Sequence, residues 1–139
     1  MTLLLKQIND YEVLYKDDRI ITDSSSERFW EAEQLSSEFS GKVLLCGLGL
    51  GITASIMEIN DNIIQIDVVE IDQEIIAIVP EFTDKVKIIN ADIFEHEGEY
   101  DYAYIDIWND YQDVDKSKIK ITAKEIVYFG QPRWEGHWA

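Results

Sequence analysis

One cysteine, two histidines and only 12 basic residues among 139 are what this chain is short of, and each shortage closes a class of function. Cys46 has no second cysteine to pair with, so no internal disulfide staples the fold; flanked by Leu45 and Gly47, it reads as a small buried hydrophobe. His96 and His137 form no ligand spacing with Cys46 or with each other, so no metal is assigned. No run approaches the roughly 20 apolar residues that cross a bilayer, and the segment from Met1 to Lys6 is too short for the core of a secretory signal. A soluble, cytoplasmic protein with no membrane partner is the expectation. There is no Gly-x-Ser-x-Gly elbow, no Gly-Lys-Ser/Thr phosphate loop and no Cys/His nucleophile pair, so hydrolase chemistry of those types has no support. Repeats and low-complexity linkers are absent as well, which leaves one domain over residues 1–139.

The shortage of basic residues meets 28 acidic ones, for a formal charge of −16. Much of the surface must repel a polyanion, which disfavours nucleic acid and favours a small or cationic ligand. The charge is uneven: residues 1–115 hold 7 basic and 26 acidic residues, whereas residues 116–139 hold 5 basic and 2 acidic. The C-terminal region therefore either docks on an acidic surface, of its own body or of a second subunit, or presents a solvated basic face. With 46% hydrophobic and 12% aromatic residues, the composition is globular.

What is present begins with Val43-Leu44-Leu45-Cys46-Gly47-Leu48-Gly49-Leu50-Gly51, followed 19 residues after Gly51 by Glu70 in Val68-Val69-Glu70-Ile71-Asp72. An apolar strand running into glycines at alternate positions allows a tight turn and the close approach of a ligand to main-chain N–H groups. A carboxylate at the end of the next strand is placed to accept from two ribose hydroxyls. The two features agree on one βαβ unit that binds a nucleotide-type cofactor.

Other elements extend this unit. Val13-Leu14-Tyr15 and Arg19-Ile20-Ile21-Thr22 flank an Asp-rich turn and predict an N-terminal hairpin within residues 1–24. Ser24 and Glu27 match a capping box for a helix over about 25–39, with Phe29, Ala32, Leu35 or Ser36, and Phe39 on one face, stopped by Gly41. The cofactor-binding core spans 42–110. Its strands are expected at Lys42–Cys46, Ile63–Glu70, Lys85–Asn90 and Glu99–Ile107, the last carrying Tyr100, Tyr102 and Tyr104 at period two. Between the first two lies a short helix over Ile52–Asn60 with Ile52, Ile56 and Ile59 on its face; Asp72 caps another over Gln73–Val79. Ile119, Ala123, Ile126 and Val127 predict an amphipathic helix over 116–129, ahead of a tail holding Trp134 and Trp138. Ligands of open parallel sheets bind beyond the carboxyl ends of the strands, where Glu70, Asp92 and Asp106 all fall.

These residues resemble the class I S-adenosylmethionine-dependent methyltransferase fold, and within it most the spermidine synthase branch, over residues 11 to about 110. The hairpin Leu14–Asp23, the helix start Glu27-Arg28-Phe29-Trp30-Glu31 and Val69-Glu70-Ile71-Asp72 carry the likeness. Tyr104-Ile105-Asp106-Ile107-Trp108-Asn109-Asp110 is also similar to small methyltransferase-like proteins of tailed phages. The resemblance implies an α/β, Rossmann-like methyltransferase fold with a mainly parallel sheet and a small N-terminal hairpin. The sheet is expected to be truncated, because only 32 residues follow Ile107 where the full fold adds about three strands. It further implies that Gly47, Gly49 and Gly51 contact the methionine part of S-adenosylmethionine, Glu70 the ribose, and Asp92 with Ile93 the adenine, with Ile71 also among the cofactor-binding residues. Asp106 would face the reacting centre. The C-terminal helix and tail, or a second subunit forming a homo-oligomer, are expected to cover the edge of the fourth strand. Leu45 and Leu50 depart from the pattern, standing where many methyltransferases and the polyamine enzymes respectively place acids; the Asn-Pro-Pro-Tyr type signature of amino-methylating enzymes is missing.

The chemistry expected is in-line attack of a small acceptor on the sulfonium, where the protein mainly aligns the reactants and excludes water. Asp106 would orient an amine or take its proton, with Asp110 in reserve and Trp108 as an aromatic wall beside the cation. Three other readings stand beside it. One is a non-catalytic, degenerate member of the fold that binds a partner protein or acts as an acidic decoy. Another is a polyamine aminopropyltransferase using decarboxylated S-adenosylmethionine, and the third is a dinucleotide dehydrogenase, whose third loop glycine would fall at Ile52.

Overall fold

The segment Gly41–Cys46 (β4) is apolar on both faces, its last four residues all buried, which is the signature of a central strand in a parallel sheet. In the computed structural model, residues 3–8, 11–16, 19–23, 26–79, 81–106 and 116–128 are described, and β4 is indeed the middle of a five-stranded sheet. Its other strands are β5 (Ile63–Glu70), β6 (Val86–Asn90), β7 (Glu99–Ile105) and β8 (Thr122–Tyr128), in the order β6-β5-β4-β7-β8, every pair parallel. Ahead of them, β1 (Leu3–Ile8), β2 (Tyr11–Lys16) and β3 (Arg19–Asp23) form an antiparallel meander. The expected hairpin is β2–β3, joined by a further strand that the apolar pattern around Lys6 had not suggested.

Among the described residues the α-helices are α1 (Ser26–Glu38), α2 (Ile52–Glu58) and α3 (Gln73–Ile78). None of the described helices is long and apolar enough to cross a membrane. Asp72 caps α3 as expected, its carboxylate accepting from the Glu74 N–H at 2.9 Å. The Ser24–Glu27 capping box, Trp108, Asp110, Trp134 and Trp138 lie outside the residues, or the side chains, that are described.

Alternate residues of the strands feed two cores. Val43, Leu45, Ile66, Val68 and Tyr104 pack with Leu35, Ala54, Met57 and Ile75 of the helices and with Phe39 just past α1, and Leu14 of the meander joins them. On the opposite face Leu44, Cys46, Val69, Ala103 and Ile105 pack under Ile93, Ile121 and Tyr128. Burying both faces of each inner strand places the strand ends, and any side chains standing there, in fixed register.

Three expectations are corrected. The face of α2 that packs inward is Ala54 and Met57, whereas Ile59 is 80% exposed; α2 starts on Gly51 and is short, so its phase is set by the loop before it. Phe29 is 43% exposed, and the inward stripe of α1 runs through Arg28, Glu31, Ala32 and Leu35 to Phe39 just past its end. No helix forms over 116–128: a short 3-10 turn at Lys116–Lys118 leads into β8, which pairs alongside β7 and covers its edge. The physical reason is visible in the residues, since Lys116, Lys118, Lys120 and Lys124 recur at even positions and exposure alternates with period two from Lys118 to Glu125. Thr122, Ile126, Val127 and Tyr128 are good strand formers, and lysines suit an edge strand facing water.

Candidate functional site

From β4 the chain steps outward through β5 and β6, then returns to the other side of β4 for β7 and β8. The crossover direction therefore reverses between β4 and β7, and the crevice beyond their carboxyl ends is where an open α/β sheet accepts a ligand. Register puts the ends level: Cys46 lies beside Val69 and Ile105, and Glu70 beside Asn90.

The loop after β4 holds Gly47, Gly49 and Gly51 at φ of 95, 53 and 81°. A Cβ is costly in this left-handed region, so the glycines let the backbone fold back on itself and leave the loop free of side chains at three points. The Gly47 N–H donates to the Val69 carbonyl at 2.9 Å and the Gly51 N–H to the Leu48 carbonyl at 2.8 Å, which fixes the turn against β5.

Glu70 points into this loop. It is 7% exposed; its Oε1 accepts from the Leu48 N–H at 2.8 Å and its Oε2 from the Asp72 N–H at 3.0 Å. The carboxylate thus ties the glycine loop to the turn after β5 while each oxygen keeps a second lone pair. Asn90 secures the same corner, donating from Nδ2 to the Glu70 and Ile71 carbonyls at 2.9 and 3.1 Å. Ile71 itself is 66% exposed beside the crevice.

Asp92 opens the turn after β6: its Oδ1 accepts from the Phe94 N–H at 2.9 Å and its carbonyl from Glu95 and His96 at 3.0 and 3.1 Å. Ile93 is buried in the second core, so its side chain supports the floor there. Asp106 follows β7, held by its own N–H, which donates to the Cys46 carbonyl at 2.8 Å. Its Oδ2 lies 2.8 Å from Nη1 of Arg28 on α1. One turn along α1, the buried Glu31 accepts from the Tyr104 hydroxyl.

Electrostatics report the same convergence. The Cys46 thiol is pushed well above its ordinary value by burial first and then by Glu70, Asp106 and Asp92, three carboxylates within range of one sulfur at the end of β4. The Tyr104 hydroxyl is likewise held protonated by burial, then by Asp106 and Glu31, with Arg28 opposing.

The structure therefore brings together the three glycines, Glu70, Ile71, Asp92 and Asp106, and leaves Trp108 and Asp110 outside the described residues. It adds Arg28, Glu31 and Tyr104, which sequence reasoning passed over. The available signal was the continuation of the Ala32–Leu35–Phe39 stripe backwards onto two charged residues, Glu31 and Arg28, since a charge on a buried stripe needs a partner.

No protein-family model matches the chain, and no curated protein does. Among solved structures, it is similar to the plantazolicin methyltransferase BpumL in complex with a triazolic desmethylPZN analog and SAH, at a TM-score of 0.51 and 20% identity, over 59% of this chain and 36% of that one. Two further structures of the same enzyme with SAH match at a TM-score of 0.43 and 19% identity. The chain spans about a third of that enzyme's length, and the likeness is one of fold: an α/β, Rossmann-like architecture with a mainly parallel sheet.

Proposed function

We propose that the crevice binds S-adenosylmethionine and that the protein transfers its methyl group to a small or cationic acceptor. The observation that carries this reading is the meeting, at the sheet's switch point, of a glycine loop with three positive φ angles and the carboxylates of Glu70, Asp92 and Asp106 around the end of β4. The residues fit such a ligand. Loop positions without Cβ atoms allow close approach of the methionine part, and Glu70 has lone pairs left for ribose hydroxyls after serving two backbone N–H groups. Asp92 at the next strand end borders the adenine, with Ile93 in the floor beneath it, and Ile71 adds exposed apolar surface beside Glu70.

When bound, the cofactor supplies an electrophilic methyl on a sulfonium, a good leaving group. The protein's part is to align the acceptor, keep water out and receive a proton. Asp106 would orient a cationic or amine acceptor and take the proton its nitrogen loses as the new C–N bond forms. Trp108 and Asp110 complete the assignment as aromatic wall and second carboxylate. Leu50 in the loop supports methyl over aminopropyl transfer, and the meander leading into α1 supports a place beside the spermidine synthase branch.

A thermal-shift titration with S-adenosylmethionine and its demethylated product tests the proposal. A ligand at 100 times its dissociation constant adds about 2.7 kcal/mol to stability, enough for a visible rise in melting temperature. No shift with either compound at millimolar concentration would refute cofactor binding and leave the non-catalytic reading.

A further inference from the structure

The crevice is acidic, and an acidic crevice discriminates between ligands of one skeleton. Glu70, Asp92 and Asp106 all act on the Cys46 sulfur, and Glu31 lies one helical turn from Arg28. Such surroundings welcome an ammonium group and repel a carboxylate. The amino-acid end of S-adenosylmethionine carries both.

Arg28 answers the second half of that problem. α1 brings its guanidinium to Asp106 at 2.8 Å, with side chains 13% and 21% exposed, at the boundary between core and solvent. Asp106 in turn is fastened to the Cys46 carbonyl, one residue before Gly47, so the ion pair stands at the foot of the glycine loop. The loop itself, Gly47-Leu48-Gly49-Leu50-Gly51, carries no charged side chain to oppose an anion. A guanidinium stays charged at any working pH and spreads five N–H donors over a planar fork, so it can hold Asp106 on one side and a second carboxylate on another. The site is then complementary to a zwitterion, with the acidic surroundings favouring the ammonium and Arg28 facing the carboxylate. Glu31, bound to Tyr104, and Leu35 and Phe39, packed in the core, hold α1 in the position that this requires.

We propose that Arg28 is a specificity residue for the α-carboxylate of the cofactor, so that the site selects the amino-acid-bearing adenosyl compound over its decarboxylated form. This rests on the reading of the crevice as an S-adenosylmethionine site and adds to it which end of the ligand is recognised, and by what.

Calorimetric titration of the full chain with S-adenosylhomocysteine and with its decarboxylated analogue, which keeps the amine and loses the carboxylate, tests the proposal without any mutation. A charge-assisted hydrogen bond of ordinary strength corresponds to about a ten- to hundredfold difference in dissociation constant. S-adenosylhomocysteine is expected to bind at least about tenfold more tightly. Equal affinities would overturn the selection while leaving the cofactor site standing; failure of both ligands to bind would bring down the site itself. In Arg28→Gln the preference is expected to shrink towards one, through loss of affinity for S-adenosylhomocysteine alone, and Arg28→Lys should keep part of it. A preference undiminished in Arg28→Gln, or an equal loss for both ligands, would overturn the role given to Arg28.

Discussion

Replacing Glu70 by alanine removes one acceptor from each of two backbone N–H groups, and the consequences differ because the two groups differ in burial. The bond from Leu48 at 2.8 Å is buried, whereas that from Asp72 at 3.0 Å is partly open to water. A buried donor left without a partner costs about 1–3 kcal/mol, and the loss of a partly solvated bond about 0.5–1.5 kcal/mol. Against this, removing one of three neighbouring carboxylates relieves repulsion of less than about 1 kcal/mol at solvent-like dielectric. Desolvation therefore wins, and Glu70→Ala should be destabilised by about 2–3 kcal/mol, a large share of the 5–15 kcal/mol of a typical domain. With a urea slope of about 1–3 kcal/mol/M, the midpoint should fall by about 1–2 M. Glu70→Gln keeps one acceptor oxygen and sets an NH2 against the other N–H, so its midpoint should lie between the two. Amide hydrogen exchange gives the site-specific check: the Leu48 N–H should exchange much faster in Glu70→Ala while amides in the middle of β4 keep their protection. A stability within about 0.5 kcal/mol of wild type, the spread of ordinary surface substitutions, would refute the claim that this carboxylate holds the glycine loop.

Two further perturbations probe the frame around the site. Gly41 sits at φ 75° and a Cβ there would stand 2.2 Å from Asp101 Oδ2, the same oxygen that accepts from the Lys42 N–H at 2.8 Å. Gly41→Ala should therefore cost about 2–3 kcal/mol from left-handed strain and the displaced carboxylate, and less in an Asp101→Ala background; strict additivity of the two in a urea double-mutant cycle would show that they do not meet. Alkaline stability should decline in a definite order, because burial and carboxylate partners raise the Tyr100 and Tyr104 phenols above their ordinary 10.0, and burial with three acids raises the Cys46 thiol above 9.0. A pKa raised in the fold stabilises below the unfolded value and is lost as pH climbs past it, so stability should hold up to about pH 9 and then fall through pH 10 and beyond. Denaturation midpoints across that range check the trend. Cys46 should resist a thiol-specific dye until urea is added, and rapid labelling of the native protein would contradict its placement.

The parallel core was legible because its signals are local and redundant. Glu70 follows the glycine loop at the spacing of a strand–helix–strand unit, Asp72 caps the next helix through its own side chain, and β5 spans Ile63–Glu70, the bounds expected from its residues. Asp106 and Asp92 could be placed for the same reason, since a residue just past a parallel strand has only one end of the sheet to occupy. Where the signal was short and ambiguous, periodicity misled. Four lysines over residues 116–124 can be drawn on a helix or on a strand, and pairing of β8 with β7 decided for the strand, a long-range event with no local marker. The face of α2 failed likewise: seven residues with isoleucine at several phases leave the choice to Gly51 and the sheet beneath.

The acidic side of the crevice shows most clearly what a linear pattern withholds. Arg28 and Asp106 are 78 positions apart, and Glu31 and Tyr104 are 73 apart, yet the two contacts are consecutive on one face of α1. Neither partner is informative alone: a charged residue in the first turns of a helix is ordinary, and so is an aspartate after a strand. Their meeting depends on where α1 is held, and Leu35 and Phe39 hold it by sharing one core with Val43, Leu45 and Tyr104. Hydrophobic packing, which carries no chemical instruction of its own, thereby sets a guanidinium beside the carboxylate at the switch point. It follows that substitutions among these core residues should act on ligand selection as well as on stability. Leu35→Ala, expected to cost about 2–5 kcal/mol by opening a cavity under α1, should also weaken the discrimination between carboxylated and decarboxylated ligands at temperatures where the variant is still folded. If the folded variant discriminates as sharply as wild type, the position of Arg28 is set by something other than the packing of this helix.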